Sequence, residues 1–151
     1  MTSATATLHT NHPPKLHRPP SRLLQWMELR AFGEFSASLA LMPLLQRAPR
    51  GDGHPVLVLP GLIASDTSTQ LLRAYLASRG YDARGWGLGR NMGLKEGLRE
   101  KMLEAVRQIH AETGRKVSLI GWSLGGVYAR EIAAELPDLV RTCIMLGSPI
   151  H

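Results

Sequence analysis

The chain has 151 residues, of which 44% are hydrophobic and 20% are charged, and its formal net charge is +6. These proportions are typical of a globular protein with one domain and a core of its own. No dense run of lysine and arginine is interleaved with aromatic residues, which argues against nucleic-acid binding. Cys143 is the single cysteine, so a disulfide within these residues is excluded and a cysteine-based metal site has no support.

The first 46 residues have two different patterns. Residues 1–20 are rich in proline and histidine and predict a disordered arm, because they have too little apolar content to pack. Residues 21–46 carry apolar side chains at three- and four-residue steps, which predicts an amphipathic helix. That helix would dock on the rest of the protein, or make peripheral contact with a membrane or a lipid site. The lack of a signal peptide pattern and of a membrane-spanning run predicts a cytoplasmic location.

A polar stretch with proline and glycine, residues 47–54, marks the boundary of a core domain predicted over residues 50–151. The apolar run Val56–Leu59 predicts a buried strand, which ends at Pro60 and Gly61. Next come a helix that stops at Gly80, with Leu71, Leu72, Tyr75 and Leu76 facing inward, and a weaker strand over residues 81–86.

A glycine-rich loop, residues 85–93, has neither the lysine of a phosphate-binding P-loop nor the G-x-G-x-x-G spacing. We therefore expect no nucleotide there; the loop is either a plain connection or a mobile segment at the substrate face. A long helix is predicted over residues 94–113, with Leu94 as the first residue of its apolar stripe and Gly114 as its stop.

The most informative stretch joins a strand to a helix through a serine. Val117–Ile120 is a short apolar run typical of a buried parallel strand, and residues 127–134 favour a helix. Between them, Gly121-Trp-Ser-Leu-Gly125 reads G-x-S-x-G. Glycines two residues before and two after Ser123 leave room for crossing backbones.

The last predicted strand is the apolar run Thr142–Leu146. We expect Cys143 to be a small buried residue within it. As the final strand, it would present an unprotected edge that pairs with another chain or another segment.

The alternation of strands and helices predicts an α/β fold with a parallel, doubly wound sheet of about four strands, preceded by the N-terminal helix. Over about residues 50–151 the chain resembles the N-terminal portion of bacterial lipase/esterase-like members of the α/β-hydrolase superfamily. The residues that carry the resemblance are Val56-Leu-Val-Leu-Pro-Gly-Leu62, Gly80-Tyr81, Gly121-Trp-Ser-Leu-Gly-Gly126, Leu136-Pro-Asp138 and Leu146-Gly-Ser-Pro149.

The resemblance implies a serine hydrolase that needs no metal and no cofactor. Ser123 would be the nucleophile of a nucleophile elbow, with Gly121 and Gly125 as the elbow glycines. The backbone N–H groups of Leu62 and Leu124 would form the oxyanion hole. The implied substrate is a carboxylic ester or lipid.

The resemblance also implies an acid and a histidine base from loops beyond the strand that follows the elbow. His151 is the only histidine after Ser123, and His54 lies before the first core strand, at the wrong end of the sheet. The acids after the serine are Glu131, Glu135 and Asp138, all before the next strand. The 151 residues are therefore expected to carry half an active site, to belong to a longer hydrolase, and to have no useful esterase activity by themselves.

Two alternatives stay open at this stage. One is related chemistry, in which an acyltransferase or thioesterase uses the same serine. The other is a non-catalytic module of the same fold that binds a partner through the final strand or through the helix of residues 21–46.

Overall fold

The computed structural model describes residues 44–148 of the chain, which divides into two units, residues 1–45 and 46–151. The predicted arm and nearly all of the predicted helix over residues 21–46 lie outside the described residues and stay predictions. Among the described residues, no helix has the length and apolar character needed to cross a membrane.

From residue 55 to residue 146, strands and helices alternate without interruption. The elements are β1 Pro55–Leu59, α1 Gln70–Ser78, β2 Asp82–Gly85, α2 Leu98–Thr113, β3 Val117–Trp122, α3 Leu124–Glu135 and β4 Val140–Leu146. The strands form one sheet in the order β2-β1-β3-β4, and every neighbouring pair is parallel. Parallel neighbours require crossover connections, and the helices supply them. The predicted α/β fold with four parallel strands is confirmed.

Two hydrophobic clusters cover the two faces of the central strands. Successive side chains of a strand point to opposite faces, so Leu57 and Leu59 join one cluster while Val56 and Val58 join the other. The larger cluster contains residues of α2 and α3, including Met102, Val106, Tyr128 and Ile132. The whole of β1 is buried, which explains why its sequence is a continuous apolar run rather than an alternating one.

Helix α1 covers the second face less completely than the sequence predicts. Leu72 and Leu76 pack against the smaller cluster as expected, but Leu71 is 45% exposed. No residue of α1 is fully buried. The inward stripe of this helix is therefore narrower than the apolar pattern indicates.

Helix α2 begins at Leu98, four residues later than the predicted start at Leu94. Gly97 precedes it with φ 74°, a left-handed conformation that an α-helix does not contain. Leu94 is 60% exposed, so its assignment to the apolar stripe was wrong. The helix ends as predicted, with Gly114 in the left-handed conformation at its C-terminus.

Strand β4 lies at an edge of the described sheet, with β3 as its only neighbour there. Residues 141–144 are exposed, and the prediction that Cys143 is buried was wrong. An apolar run indicates burial on both faces only when both faces and both edges have partners. Among the described residues, β4 lacks a partner on its outer side.

Asp66 ties the start of α1 to the loop that follows β2. Its Oδ1 accepts a hydrogen bond from Trp86 N at 2.9 Å, and its Oδ2 accepts one from Gly87 N at 3.0 Å. The indole of Trp86 is 4% exposed, and its Nε1–H donates to Gly89 O at 2.8 Å. This pair of charge-assisted bonds holds the beginning of the glycine-rich loop in place.

We expect Asp66→Ala to lower the free energy of unfolding by about 1–3 kcal/mol, because it leaves two backbone N–H groups without their acceptor. Urea unfolding followed by circular dichroism measures the change. Asp138→Ala is the matched control, since Asp138 is exposed and its replacement should change the free energy by no more than about 0.5 kcal/mol. Equal effects of the two substitutions would contradict the role of Asp66.

Candidate active site

Ser123 is the single residue between the end of β3 and the start of α3. Its backbone angles are φ 51° and ψ −118°, so the chain reverses sharply at this point. Within the described residues, Ser123 and Ile63 are the only non-glycine residues with positive φ. A conformation of this kind costs about 1–3 kcal/mol and persists only where the surrounding structure imposes it. Ser123 N donates to Leu146 O at 2.8 Å, which fastens the turn to the end of β4.

The glycines on either side of Ser123 lie where backbones cross. A Cβ on Gly121 would overlap the carbonyl group of Gly125 and the Cα of Gly126. A Cβ on Gly125 would overlap the carbonyl of Leu59 and would lie 2.7 Å from Pro60 O, at the end of β1. Neither position has space for a side chain, so the G-x-S-x-G spacing follows from the close approach of β1, β3 and α3.

The turn after β1 lies against the same serine. A Cβ built on Gly61 would stand 3.4 Å from Ser123 Cβ and 3.3 Å from Trp122 O. The two strands are direct neighbours, with Leu59 paired to Gly121. The structure therefore brings Gly61 and Ser123, which are 62 positions apart in sequence, close together at the carboxyl edge of the sheet.

Two backbone N–H groups beside Ser123 are free to bind a ligand. In the part of the chain that the structure describes, neither Leu62 N nor Leu124 N donates a hydrogen bond, whereas the next amide, Ile63 N, donates to Asn91 O. Leu124 is the first residue of α3, so its N–H group contributes to the positive end of the helix dipole. An oxyanion formed at Ser123 would meet this favourable field.

No profile of a known protein family matches the chain. Individual proteins, however, do match it in sequence. A triacylglycerol lipase from Pseudarthrobacter phenanthrenivorans is 34% identical over 106 residues, which is 64% of this chain and 33% of the relative. The serine hydrolase BPHL of Mus musculus is 30% identical over 112 residues, which is 68% of this chain and 38% of the relative.

Solved structures agree on the fold. The mature lipase BlEst2 of Bacillus licheniformis superposes with a TM-score of 0.52 at 23% identity, over 68% of this chain and 44% of the lipase. An α/β hydrolase from a lagoon-sediment metagenome gives a TM-score of 0.50, over 66% of this chain and 47% of that protein.

The chain belongs to the α/β-hydrolase superfamily. Its distant homologues include lipases and a serine hydrolase. The chain spans about a third of the length of these curated relatives. The parallel sheet, with a strand–serine–helix turn at its carboxyl edge, is in accord with membership of the superfamily.

The described residues of this superfamily member bring no imidazole to Ser123. His54 and His110 are the histidines within residues 44–148. His54 immediately precedes β1, and His110 Nδ1–H donates to Arg115 O at 2.9 Å, just before β3. Both lie at the amino ends of strands, and His54 is there as predicted, whereas Ser123 follows the carboxyl end of β3.

A second serine does contact a histidine, at that opposite edge. His54 Nε2 and Ser118 Oγ are 2.8 Å apart, and His54 Nδ1 is 2.5 Å from Asp52 Oδ1. The order Asp–His–Ser is that of a catalytic triad, but Ser118 lies inside β3 and is 6% exposed. It is five residues, or about 16 Å along a strand, from Ser123. It precedes no helix N-terminus, so we interpret the array as a structural network.

Arginines complete this network around Asp52. Its Oδ2 accepts hydrogen bonds from Arg141 at 2.8 Å and from Arg115 at 3.2 Å. The hydrogen bond from Arg141, followed by those from His54, holds the pKa of the Asp52 carboxyl far below its usual range. Sequence reasoning missed this network, because its members are up to 89 positions apart and form no local motif.

Because the pKa of Asp52 is lower in the folded state than in the unfolded state, its ionised form stabilises the fold above about pH 4, the ordinary aspartate pKa. That contribution is lost as the pH falls. We expect the melting temperature of Asp52→Asn to fall less steeply between pH 6 and pH 3 than that of the wild type, in thermal unfolding at low salt. Asp138→Asn should keep the wild-type slope. A wild-type slope in Asp52→Asn would contradict the prediction.

Proposed function

We propose that Ser123 is the nucleophile of a serine hydrolase that acts on carboxylic esters or lipids. The observation that carries the proposal is the strained backbone of Ser123 between β3 and α3, with Gly61 so near that a Cβ built on it would stand 3.4 Å from Ser123 Cβ. A nucleophile elbow requires this geometry, in which the serine hydroxyl is lifted above the sheet at a helix N-terminus.

In the proposed reaction, Ser123 Oγ attacks the ester carbonyl and its proton passes to a general base. The carbonyl oxygen becomes an oxyanion and accepts hydrogen bonds from Leu62 N and Leu124 N. Collapse of the tetrahedral intermediate expels the alcohol, which takes the proton from the base, and leaves an acyl-enzyme. Water then attacks the acyl carbonyl by the same route and releases the acid.

The general base in this proposal is a histidine outside residues 44–148. Within that range both histidines lie at the amino edge of the sheet, and His54 is already engaged by Asp52 and Ser118. In this proposal the described residues contribute the nucleophile and the two oxyanion donors, and the proton-transfer step belongs to another part of the protein.

The substrate class is supported by the surface around the serine. Trp122, the residue before it, is 61% exposed, and Leu62 and Ile63 of the adjacent turn are 54% and 67% exposed. Large apolar side chains beside a reactive hydroxyl suit an acyl chain better than a charged substrate. Lipases among the relatives support the same class.

Labelling of the natural full-length protein with a fluorophosphonate probe tests the assignment directly, because the probe reacts with activated serines and leaves a stable adduct. After labelling and proteolysis, mass spectrometry should place the adduct on Ser123. Ser118 provides an internal comparison, since it is the serine that contacts a histidine. An adduct on Ser118, or no adduct on either serine, would refute the proposal.

A further inference from the structure

Asn91 is the most deeply buried polar residue of the glycine-rich loop, with no exposed surface. It lies between β2 and α2 but makes its hydrogen bonds to the turn after β1. Its side-chain Nδ2 donates to Pro60 O at 2.8 Å. Its backbone N donates to Ala64 O at 2.7 Å, and its backbone O accepts from Ile63 N at 2.6 Å.

These three bonds hold both ends of one short turn. Pro60 begins the turn, and Ile63 and Ala64 end it, so Leu62 stands between the fixed points. Ala64 N also donates to Gly61 O at 3.2 Å, which closes the turn on itself. Ile63 N and Ala64 N both have acceptors, whereas Leu62 N donates no hydrogen bond in the described structure. Fixing its neighbours fixes the direction of that N–H.

The turn needs such support because it is strained. Ile63 has φ 57°, a region that a β-branched residue rarely adopts. Without restraint, the chain would relax toward negative φ and rotate the peptide that precedes Ile63. A strained backbone persists where its surroundings over-determine it, and Asn91 supplies bonds on both sides of the strained residue.

The side-chain oxygen of Asn91 anchors the residue to the rest of the site. Asn91 Oδ1 accepts from Gly93 N at 3.2 Å and lies 3.4 Å from the hydroxyl of Tyr128, which is fully buried in α3. The first residue of α3 is Leu124, whose backbone N–H is the other amide beside Ser123 that has no acceptor in the described structure. Asn91 therefore links the turn that carries Leu62 to the helix that carries Leu124.

We propose that Asn91 is a positioning residue of the active site, which aims the Leu62 N–H at the developing oxyanion. The inference rests on the proposed function, because it needs Ser123 to react. Asn91 does not touch the reacting atoms. It acts through the turn that it holds, and its loss should weaken stabilisation of the transition state without weakening the binding of the reactant.

The test measures fluorophosphonate labelling of Ser123 over a range of probe concentrations in Asn91→Ala and Asn91→Ser. Both substitutions remove the side-chain bond to Pro60 O and keep the two backbone bonds of residue 91, and two variants keep the test informative if one does not fold. We expect the maximal labelling rate to fall roughly 10- to 100-fold, because small displacements of a catalytic group have effects of this size. The half-saturating concentration should stay within about twofold, since the probe's binding surface is untouched.

Ser118→Ala is the matched control. It also removes a buried side-chain hydrogen bond from the domain, but at the opposite edge of the sheet. It should lower thermal stability while leaving the maximal labelling rate unchanged. If a folded Asn91 variant labels at the wild-type rate, the positioning role is overturned although the proposed function stands. If wild-type Ser123 does not label, the proposed function fails, and the positioning role fails with it.

Discussion

Replacing Ser123 with alanine is expected to lower kcat for a short-chain chromogenic ester by about 10⁶-fold, to the level left by substrate binding and the oxyanion donors. The members of a catalytic triad act as a unit, so removal of the nucleophile leaves the base without a group to activate. Among the serines of the described residues, only Ser123 joins the last residue of a strand directly to the first residue of a helix, and no other is expected to replace it.

The assay uses the natural full-length protein, because we place the general base outside residues 44–148. Ser118→Ala serves as the control and should retain kcat within about twofold, since the Asp52–His54–Ser118 network lies at the amino edge of the sheet. A large loss of activity in Ser118→Ala together with wild-type activity in Ser123→Ala would move the active site to that edge and contradict our account.

Gly121→Ala is expected to lower the free energy of unfolding by about 3 kcal/mol or more. The new methyl group would overlap the carbonyl of Gly125 and the Cα of Gly126. Both are backbone atoms, so no side chain can rotate to make room, and relief requires α3 to move away from β3. That movement would also displace Ser123, so the variant should show slower fluorophosphonate labelling as well as a lower free energy of unfolding.

Gly114→Ala is the matched control for this substitution. Gly114 ends α2 with φ 66°, and no atom lies within 4 Å of a Cβ built there. The free energy of unfolding should then fall by only about 1–2 kcal/mol, because alanine is strained at this positive φ. Labelling of Ser123 should not change. Urea unfolding measures both variants. Equal destabilisation by the two changes would show that the crossing at Gly121 is looser than the structure indicates.

Much of the fold follows from local patterns in the sequence. The largely apolar runs at Val56–Leu59 and Val117–Ile120 predict the two central strands, because strands covered on both faces are mostly apolar. Ser118, in the second run, is buried with His54 as its hydrogen-bond partner. The pattern fails where neighbours decide the outcome. Cys143 lies in an equally apolar run but is exposed, because β4 is at the edge of the described sheet. Leu94 fits the helical period, yet Gly97 delays the start of α2.

The residues of the site also fall into those that the sequence predicts and those that it does not. Ser123 and its glycines are predictable, because the elbow is a local motif whose spacing reports a crossing of backbones. Asn91 is not predictable, since nothing near it in sequence shows that its hydrogen bonds reach Pro60 and Ala64. The glycine-rich loop that contains it suggested a connection or a mobile segment. Long-range hydrogen bonds leave no periodic signature, and the structure is needed to find them.

The most direct test of the central claim is a crystal structure of the fluorophosphonate adduct. We predict phosphorus bonded to Ser123 Oγ, with one phosphonyl oxygen about 2.7–3.1 Å from both Leu62 N and Leu124 N, the distance expected for oxyanion-hole donors. A phosphonyl oxygen turned away from both amides, or an adduct on a serine other than Ser123, would contradict the account.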